Sequence, residues 1–292
     1  MEKVKKILLF FIVIALIIAI GFVTVSFVLS KTEKKSNPIV TMEIEGYGTV
    51  KIELYPDMAP NTVKNFIKLA QKGYYDGKTI SDIADGLIEG GFDLSTESDD
   101  SSTEEAGPKL SNIKDLAEGE EDKSYAIKGE FIENGDNDNT LSHKRGVISM
   151  ARKSYTQYQQ EIAMVQMMGY TDYVNTLVQK MYDSQGSGFF ILTEDKTEFD
   201  GTYAAFGEVR EGMDVVDAIS KIELKTTTSD DGTETKTNEP VNAPVITKVT
   251  VDTFGVDYGD PEVIDMFDFD AVFNMFMKNY MQSSSTTTST AE

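Results

Sequence analysis

Hydrophobic and polar positions alternate with a period of two along much of this chain. Gly146-Val147-Ile148-Ser149-Met150-Ala151, Gly188-Phe189-Phe190-Ile191-Leu192 and Tyr203-Ala204-Ala205-Phe206-Gly207-Glu208-Val209 are three short runs of aromatic, β-branched and small residues. Gly or Asp-Gly turns separate them, so they read as strands. Upstream, Val40, Met42 and Ile44, then Val50, Ile52 and Leu54, flank Gly46-Tyr47-Gly48 and predict a β-hairpin. Pro56 and Pro60 stop it. Pro60 suits the first turn of a helix. Val63, Phe66, Ile67 and Ala70 then recur at helical spacing, and Gly73 ends the helix. Residues 244–254 alternate again and predict a last strand, and 226–238 read as a polar hairpin or loop. Two stretches change to the helical period. Residues 155–182 predict two amphipathic helices around Gly169, and a helix is expected from Asp260-Pro261 to about Met281.

The longest apolar run adds a membrane to this picture. Residues 7–29 carry only Thr24 and Ser26 as polar side chains. At ~1.5 Å per residue they span roughly 35 Å, enough for a hydrocarbon core of ~30 Å. Lys3, Lys5 and Lys6 precede the run, and no A-x-A-like cleavage site follows it. The expectation is a single-pass anchor in the cell membrane with a cytoplasmic N-terminus and an extracytoplasmic remainder. Removing Lys3, Lys5, Lys6 and Glu2 from totals of 27 basic and 49 acidic residues leaves −24 for that remainder. Such a charge disfavours nucleic acid as a partner. The chain has no Cys and one His, which excludes disulfides and thiol nucleophiles and argues against zinc.

The motifs resemble those of the cyclophilins, β-barrels that isomerise peptidyl-prolyl bonds. Ser149-Met150-Ala151 is similar to that family's S-M-A, and Ser187-Gly188-Phe189-Phe190-Ile191 to its S-Q-F-F-I. Phe199-Asp200-Gly201-Thr202-Tyr203-Ala204-Ala205-Phe206-Gly207 resembles L-D-G-x-[HY]-x-x-F-G. Upstream, Ala59-Pro60-Asn61-Thr62-Val63-Lys64-Asn65-Phe66 and Tyr74-Tyr75-Asp76-Gly77 resemble A-P-x-x-V-x-N-F and Y-Y-D-G. Five motifs in the family's order cover most of residues 40–255.

The resemblance implies a mainly β fold with helices: a closed antiparallel barrel, preceded by the anchor and carrying two helical additions. The expected divisions are 1–30 for the start and anchor, 31–38 for a linker and 39–255 for the barrel, with an insertion at 154–185. A C-terminal helix at 256–282 and a disordered tail at 283–292 follow. Proline-containing segments of exported proteins are the implied partners, and no cofactor or metal is implied.

The site departs from the family at its central residue. Cyclophilins carry F-H-R-V-x-x-G-F-M-x-Q-G-G-D, whose Arg is the catalytic group. Here the segment reads Ile80-Ser81-Asp82-Ile83-Ala84-Asp85-Gly86-Leu87-Ile88-Glu89-Gly90-Gly91-Phe92, one residue short. The Arg position falls on Ser81 or Asp82, and the supporting Gln becomes Glu89. The resemblance assigns the walls of a proline pocket to Leu87, Phe190, Phe199 and Tyr203 and its floor to Met150 and Ala151. The family's Trp position falls on Glu198. Arg152, where the family often has Asn, is the one candidate to replace the missing guanidinium. Its ordinary alternative is a surface ion pair. His143 is not catalytic in the family, and no Ser-Asp pattern accompanies it.

Residues 93–123 are acidic and rich in Ser and Gly, and predict an exposed loop with a short helical stretch at 113–117. Their acids lack the spacing of a Ca²⁺ loop. Of 13 methionines, eight lie in the two helical additions. Those additions are expected to pack together beside the groove, because neither can leave its apolar face in water.

Overall fold

The computed structural model describes residues 36–92, 107–154, 158–229, 232–266 and 269–288. The expected anchor, 7–29, lies outside them. Among the described residues no helix is long and apolar enough to cross a membrane.

Alternation in the sequence becomes burial in the structure. In the hairpin of β1 (Ile39–Ile44) and β2 (Gly48–Leu54), Val40 faces Ile52 and Met42 faces Val50. These four side chains are fully buried. Further strands follow: β3 (Ile80–Ala84), β4 (Leu87–Gly90), the short β5 (Tyr125–Ala126), β6 (Val147–Met150), β7 (Phe189–Leu192) and β8 (Ala205–Glu211). β9 (Leu224–Thr228) and β10 (Glu234–Pro240) form a separate polar hairpin, and β11 (Ile246–Asp252) returns to pair with β1. The main sheet runs β11-β1-β2-β8-β6-β7-β4-β3, every pair antiparallel.

This sheet is a curled half-barrel, which corrects the expectation of a closed one. Its edges meet over a short stretch around the Thr79–Val245 bridge, where Ile80 N–H donates to Pro244 O at 2.9 Å, Ile246 N–H to Lys78 O at 2.8 Å and Gly77 N–H to Ile246 O at 2.7 Å. No ladder continues because β3 is short and bulged. Between Ile80 and Asp82 the register slips by a residue, and a bulge ends regular pairing.

Helix α1 (Pro60–Gln71) fills the concave side with Val63, Phe66, Ile67 and Ala70, as its spacing predicts. The Phe66 ring stacks on Tyr75 at 4.9 Å and meets Phe206 at 5.3 Å. No side chain of its own caps this helix. The Glu130 carboxylate does so from 69 residues beyond Asn61, accepting from Asn61 N–H at 2.9 Å and Thr62 N–H at 2.7 Å. That satisfies donors the first turn leaves open and places a negative charge at the positive helix end.

Residues 107–123 differ from the exposed loop expected there. Leu110 and Ile113 are buried in the main core, and the single helical turn is Leu110–Asn112 rather than 113–117. Three apolar residues, Leu110, Ile113 and Leu116, spaced three apart pin an otherwise charged segment to the core.

The insertion folds as two helices, α2 (Gln159–Met167) and α3 (Thr171–Tyr182), with Gly169 at a left-handed φ of 87° between them. After α4 (Met213–Ile219) and β11, the C-terminal stretch departs from its expected all-helical form. Residues before the helix are extended: β12 (Ile264–Asp265) pairs with β5, and Asn61 exchanges hydrogen bonds with Glu262 at 2.9 and 2.7 Å. Lys68 pairs with Asp260 and Lys123 with Asp265. These partners satisfy the backbone and hold it open. The helix proper, α5, is Phe269–Thr288 and so runs into part of the expected tail. Extending an existing helix by Ser and Thr costs little per residue.

The two additions pack against each other. Ile162, Val165, Val174, Leu177 and Met181 bury against Val272, Phe273 and Phe276 of α5. Tyr173 stacks on Phe276 at 4.7 Å and an interplanar angle of 16°.

Candidate active site

Strand alternation on β6 divides its side chains between two apolar clusters. Ile148 and Met150 point into the main core, whereas Val147 and Ala151 point outward to Phe190, Leu192 and Ala205. Around that outer cluster lies a cavity of about 200 Å³, lined by Leu87, Glu89, Ala151, Arg152, Ser154, Phe190, Phe199 and Tyr203. The structure thus brings together seven of the residues singled out in the sequence. Met150, expected as floor, is fully buried in the core instead, because period two puts it on the opposite face from Ala151.

Three rings form the apolar wall. Phe190 meets Tyr203 edge-on at 5.3 Å and 89°, and Phe199 at 5.9 Å and 77°. Edge-to-face contacts of this kind hold rings rigidly in place. Glu198, at the family's Trp position, is exposed and adds no wall.

Behind the wall the chain's only histidine is buried. His143 lies face-on to Phe190 at 6.3 Å. Its Nδ1 is 3.1 Å from Asp200 Oδ1, and its backbone N–H donates to the same oxygen at 2.6 Å. Burial pushes the imidazole below its ordinary value, against the pull of Asp200. The neutral ring then carries its proton on Nδ1 and leaves Nε2 without a partner. A depressed folded value makes stability full above the unfolded pKa of about 6.5 and lost as pH falls through the folded one. The thermal midpoint is therefore expected to drop as pH is lowered from about 6.5, and His143→Gln should flatten that slope in a pH series of melts. An identical slope in the variant would remove His143 as its cause.

Arg152 lies on the polar side of the cavity, and among the described residues it makes no surface ion pair, its ordinary alternative. Its guanidinium carbon lies 4.5 Å from the Tyr203 ring centroid, 4.9 Å from Tyr182 and 5.3 Å from Phe131. Nε donates to Thr202 O and Nη1 to Lys153 O, both at 3.0 Å. Among the described residues Nη2 has no acceptor. Burial lowers its pKa, with Tyr203, Tyr182 and Glu133 opposing; an arginine remains charged under these conditions.

Sequence comparison places this constellation in context. The family model "Cyclophilin type peptidyl-prolyl cis-trans isomerase/CLD" matches residues 39–251. The chain belongs to this family. It is similar to peptidyl-prolyl cis-trans isomerase B of Bacillus subtilis, 27% identical over 172 residues, covering 59% of this chain and 82% of the relative. Peptidyl-prolyl cis-trans isomerase-like 1 of Rhizopus delemar is 29% identical over 170 residues, 58% of this chain and 72% of the relative. Among solved structures, a Cryptosporidium parvum cyclophilin crystallised in the presence of the dipeptide Ala-Pro aligns with a TM-score of 0.47 and 19% identity, over 73% of this chain and 98% of that one.

Two departures set this cyclophilin apart. The first is the β3–β4 segment, where the sequence reading puts the family's Arg at Ser81 or Asp82. Asp82 sits opposite Glu89 across the β3–β4 ladder, and Ser81 falls in the bulge. Both Ser81 and Asp82 line a second cavity, of about 520 Å³, which shares Glu89, Ala151 and Arg152 with the first. Burial and the nearby Glu239 push the Asp82 carboxyl up, with an Asn238 hydrogen bond opposing. Asp82 and Glu89 thus form a cross-strand carboxylate pair beside that cavity. β3 and β4 are joined by a tight Asp85-Gly86 turn with Gly86 at φ 82°. Only Gly, Asn or Asp takes such an angle readily.

The second departure is Gly188, in place of the family's Gln. A Cβ there would lie 2.0 Å from the Phe92 ring. Phe92 packs with the Phe190 cluster and occupies the space that a side chain at 188 would need. Nothing local in the sequence ties residue 92 to residue 188.

Proposed function

We propose that this chain is a slow prolyl isomerase that acts on proline-containing segments of exported proteins, with Arg152 as its cation. The observation that carries the reading is Arg152 itself: a partly buried guanidinium with a spare N–H, on the wall of a ring-lined cavity large enough for a prolyl side chain. Rotation about the prolyl amide faces a barrier of roughly 18–20 kcal/mol, because the C–N bond has partial double-bond character. A donor that favours the twisted amide over the planar one lowers that barrier, and the rings hold the proline while the preceding residue rotates. Protein surroundings strengthen the donor by excluding water.

Losing a preorganised donor commonly costs ~100- to 1000-fold. Isomerisation of a proline tetrapeptide, followed by exchange NMR on the full-length chain, is expected to run at least about 100-fold slower than with a relative that keeps the family Arg. A rate equal to the relative's would mean that the family's Arg position is misplaced or that Arg152 replaces the donor in full, in which case Arg152→Ala should abolish the rate. The Asp82–Glu89 pair favours a second reading, a module that binds proline segments without turning them over. Peptide binding with no exchange above the uncatalysed rate would select it.

The run at 7–29 and the lysines before it support attachment to the membrane with the isomerase domain outside. Protease added to intact cells is then expected to remove the domain while the chain stays with the membrane fraction. Full-length protein that survives protease, or that is free in the medium, would refute the anchor.

A further inference from the structure

The residue at the end of the insertion packs on the site's arginine. Tyr182 is the last residue of α3, and its ring lies 4.9 Å from the Arg152 guanidinium. Its hydroxyl donates to Glu133 Oε2 at 2.8 Å, and its edge packs on Phe131 at 5.2 Å and 78°. The end of the helix is tied down on both sides. Asp183 Oδ1 accepts from Asn134 Nδ2 at 2.7 Å and from Gly129 N–H at 3.3 Å. Ser184 Oγ accepts from Lys153 N–H at 2.9 Å, one residue from Arg152. Leu177 and Met181, which precede it on the same helix, are buried in the cluster that includes Val272, Phe273 and Phe276 of α5.

We propose that Tyr182 is a positioning residue for Arg152, so that the helical insertion is a working part of the prolyl site rather than an appendage. The inference rests on the reading of Arg152 as the site's cation. Among the described residues no carboxylate forms an ion pair with Arg152, and Glu133 acts on it only at a distance. Its two described acceptors are carbonyls of Thr202 and Lys153, and three ring faces pack on it. Tyr203 supplies one face and also lines the cavity; Phe131 supplies the second. Tyr182 closes the third side, and Glu133 and Phe131 fix its ring in turn. A guanidinium between ring faces keeps its edge free, and the edge is what donates to a substrate amide. Removing one ring lets the long side chain rotate away, and the donor is no longer preorganised.

The effect should appear in turnover more than in substrate affinity. Cation–π contacts of partly desolvated groups support a loss of roughly 3- to 30-fold. With the full-length chain and an Ala-Ala-Pro-Phe peptide, Tyr182→Ala is expected to lower kcat by that amount with KM little changed. Tyr182→Phe keeps the ring and should retain most of kcat, which separates the ring's role from a general loss of fold. Glu133→Gln should behave as Tyr182→Phe does. The decisive measurement is the pair with Arg152→Ala: if Tyr182 acts through Arg152, adding Tyr182→Ala to Arg152→Ala costs nothing further. An equal fall in both backgrounds would overturn the proposal, as would full kcat in Tyr182→Ala. Should Arg152→Ala itself be silent, the reading of Arg152 fails, and this inference with it; a damaging Arg152→Ala beside a silent Tyr182→Ala sinks the inference alone. If Tyr182→Ala does not fold, the same cycle with Tyr182→Leu decides.

Discussion

Arg152→Ala is expected to lower kcat/KM for a proline-containing peptide by about 100-fold or more, which corresponds to ~3 kcal/mol of lost transition-state stabilisation. The magnitude follows from where the guanidinium sits. It is half-buried among rings, its charge is less screened than at the surface, and Ser81 and Asp82 offer no other donor of that strength on the opposite side of the groove. Arg152→Lys should recover little. An ammonium keeps the charge, but it has no planar edge to donate while its face rests on Tyr203 and Tyr182. The thermal midpoint of each variant separates chemistry from folding. Activity unchanged in Arg152→Ala would remove it from the mechanism and leave the apolar cavity to act through binding alone.

What the sequence made legible, and what it did not, follows from the range of the interactions involved. The β1–β2 hairpin, α1, β6, β7 and β11 were readable because alternation and helical spacing are local, and burial follows them residue by residue. The same local rule would have moved Met150 off the site, since it shares a face with Ile148; only the family's motif put it there. Contacts between distant segments were not readable. Nothing near Pro60 announces Glu130 as the cap of α1. Nothing near Gly188 announces Phe92, and nothing at Asp260–Asp265 shows that β5 and Asn61 will hold that stretch extended. Tyr182 was passed over for a related reason: at the end of an amphipathic helix it reads as one more apolar position. The signal available was the short distance in sequence from Ser184-Gln185-Gly186 to the Phe189-Phe190 motif, which forces the helix to end beside the groove.

The second large effect concerns the C-terminal segment. Deleting residues 260–292 should lower the thermal midpoint by roughly 10 °C. Val272, Phe273 and Phe276 are half-buried against Ile162, Val165 and Leu177, and full burial of such side chains is worth ~1.5–3 kcal/mol each. About half of that for three side chains is ~3–4 kcal/mol, and in a domain of this size each kcal/mol moves the midpoint by about 2–4 °C. Loss of the β12–β5 pairing and of the Asn61–Glu262 bonds adds to this. The damage should be local before it is global. Without α5, the apolar faces of α2 and α3 meet water, and limited proteolysis is expected to open new cuts around Met164–Met168. Since α3 leads directly to Tyr182, kcat should fall with the deletion as well, by no more than in Arg152→Ala. An unchanged midpoint with an unchanged digest would mean that α5 contributes nothing to the fold, and would leave it as a helix held in place for some other protein.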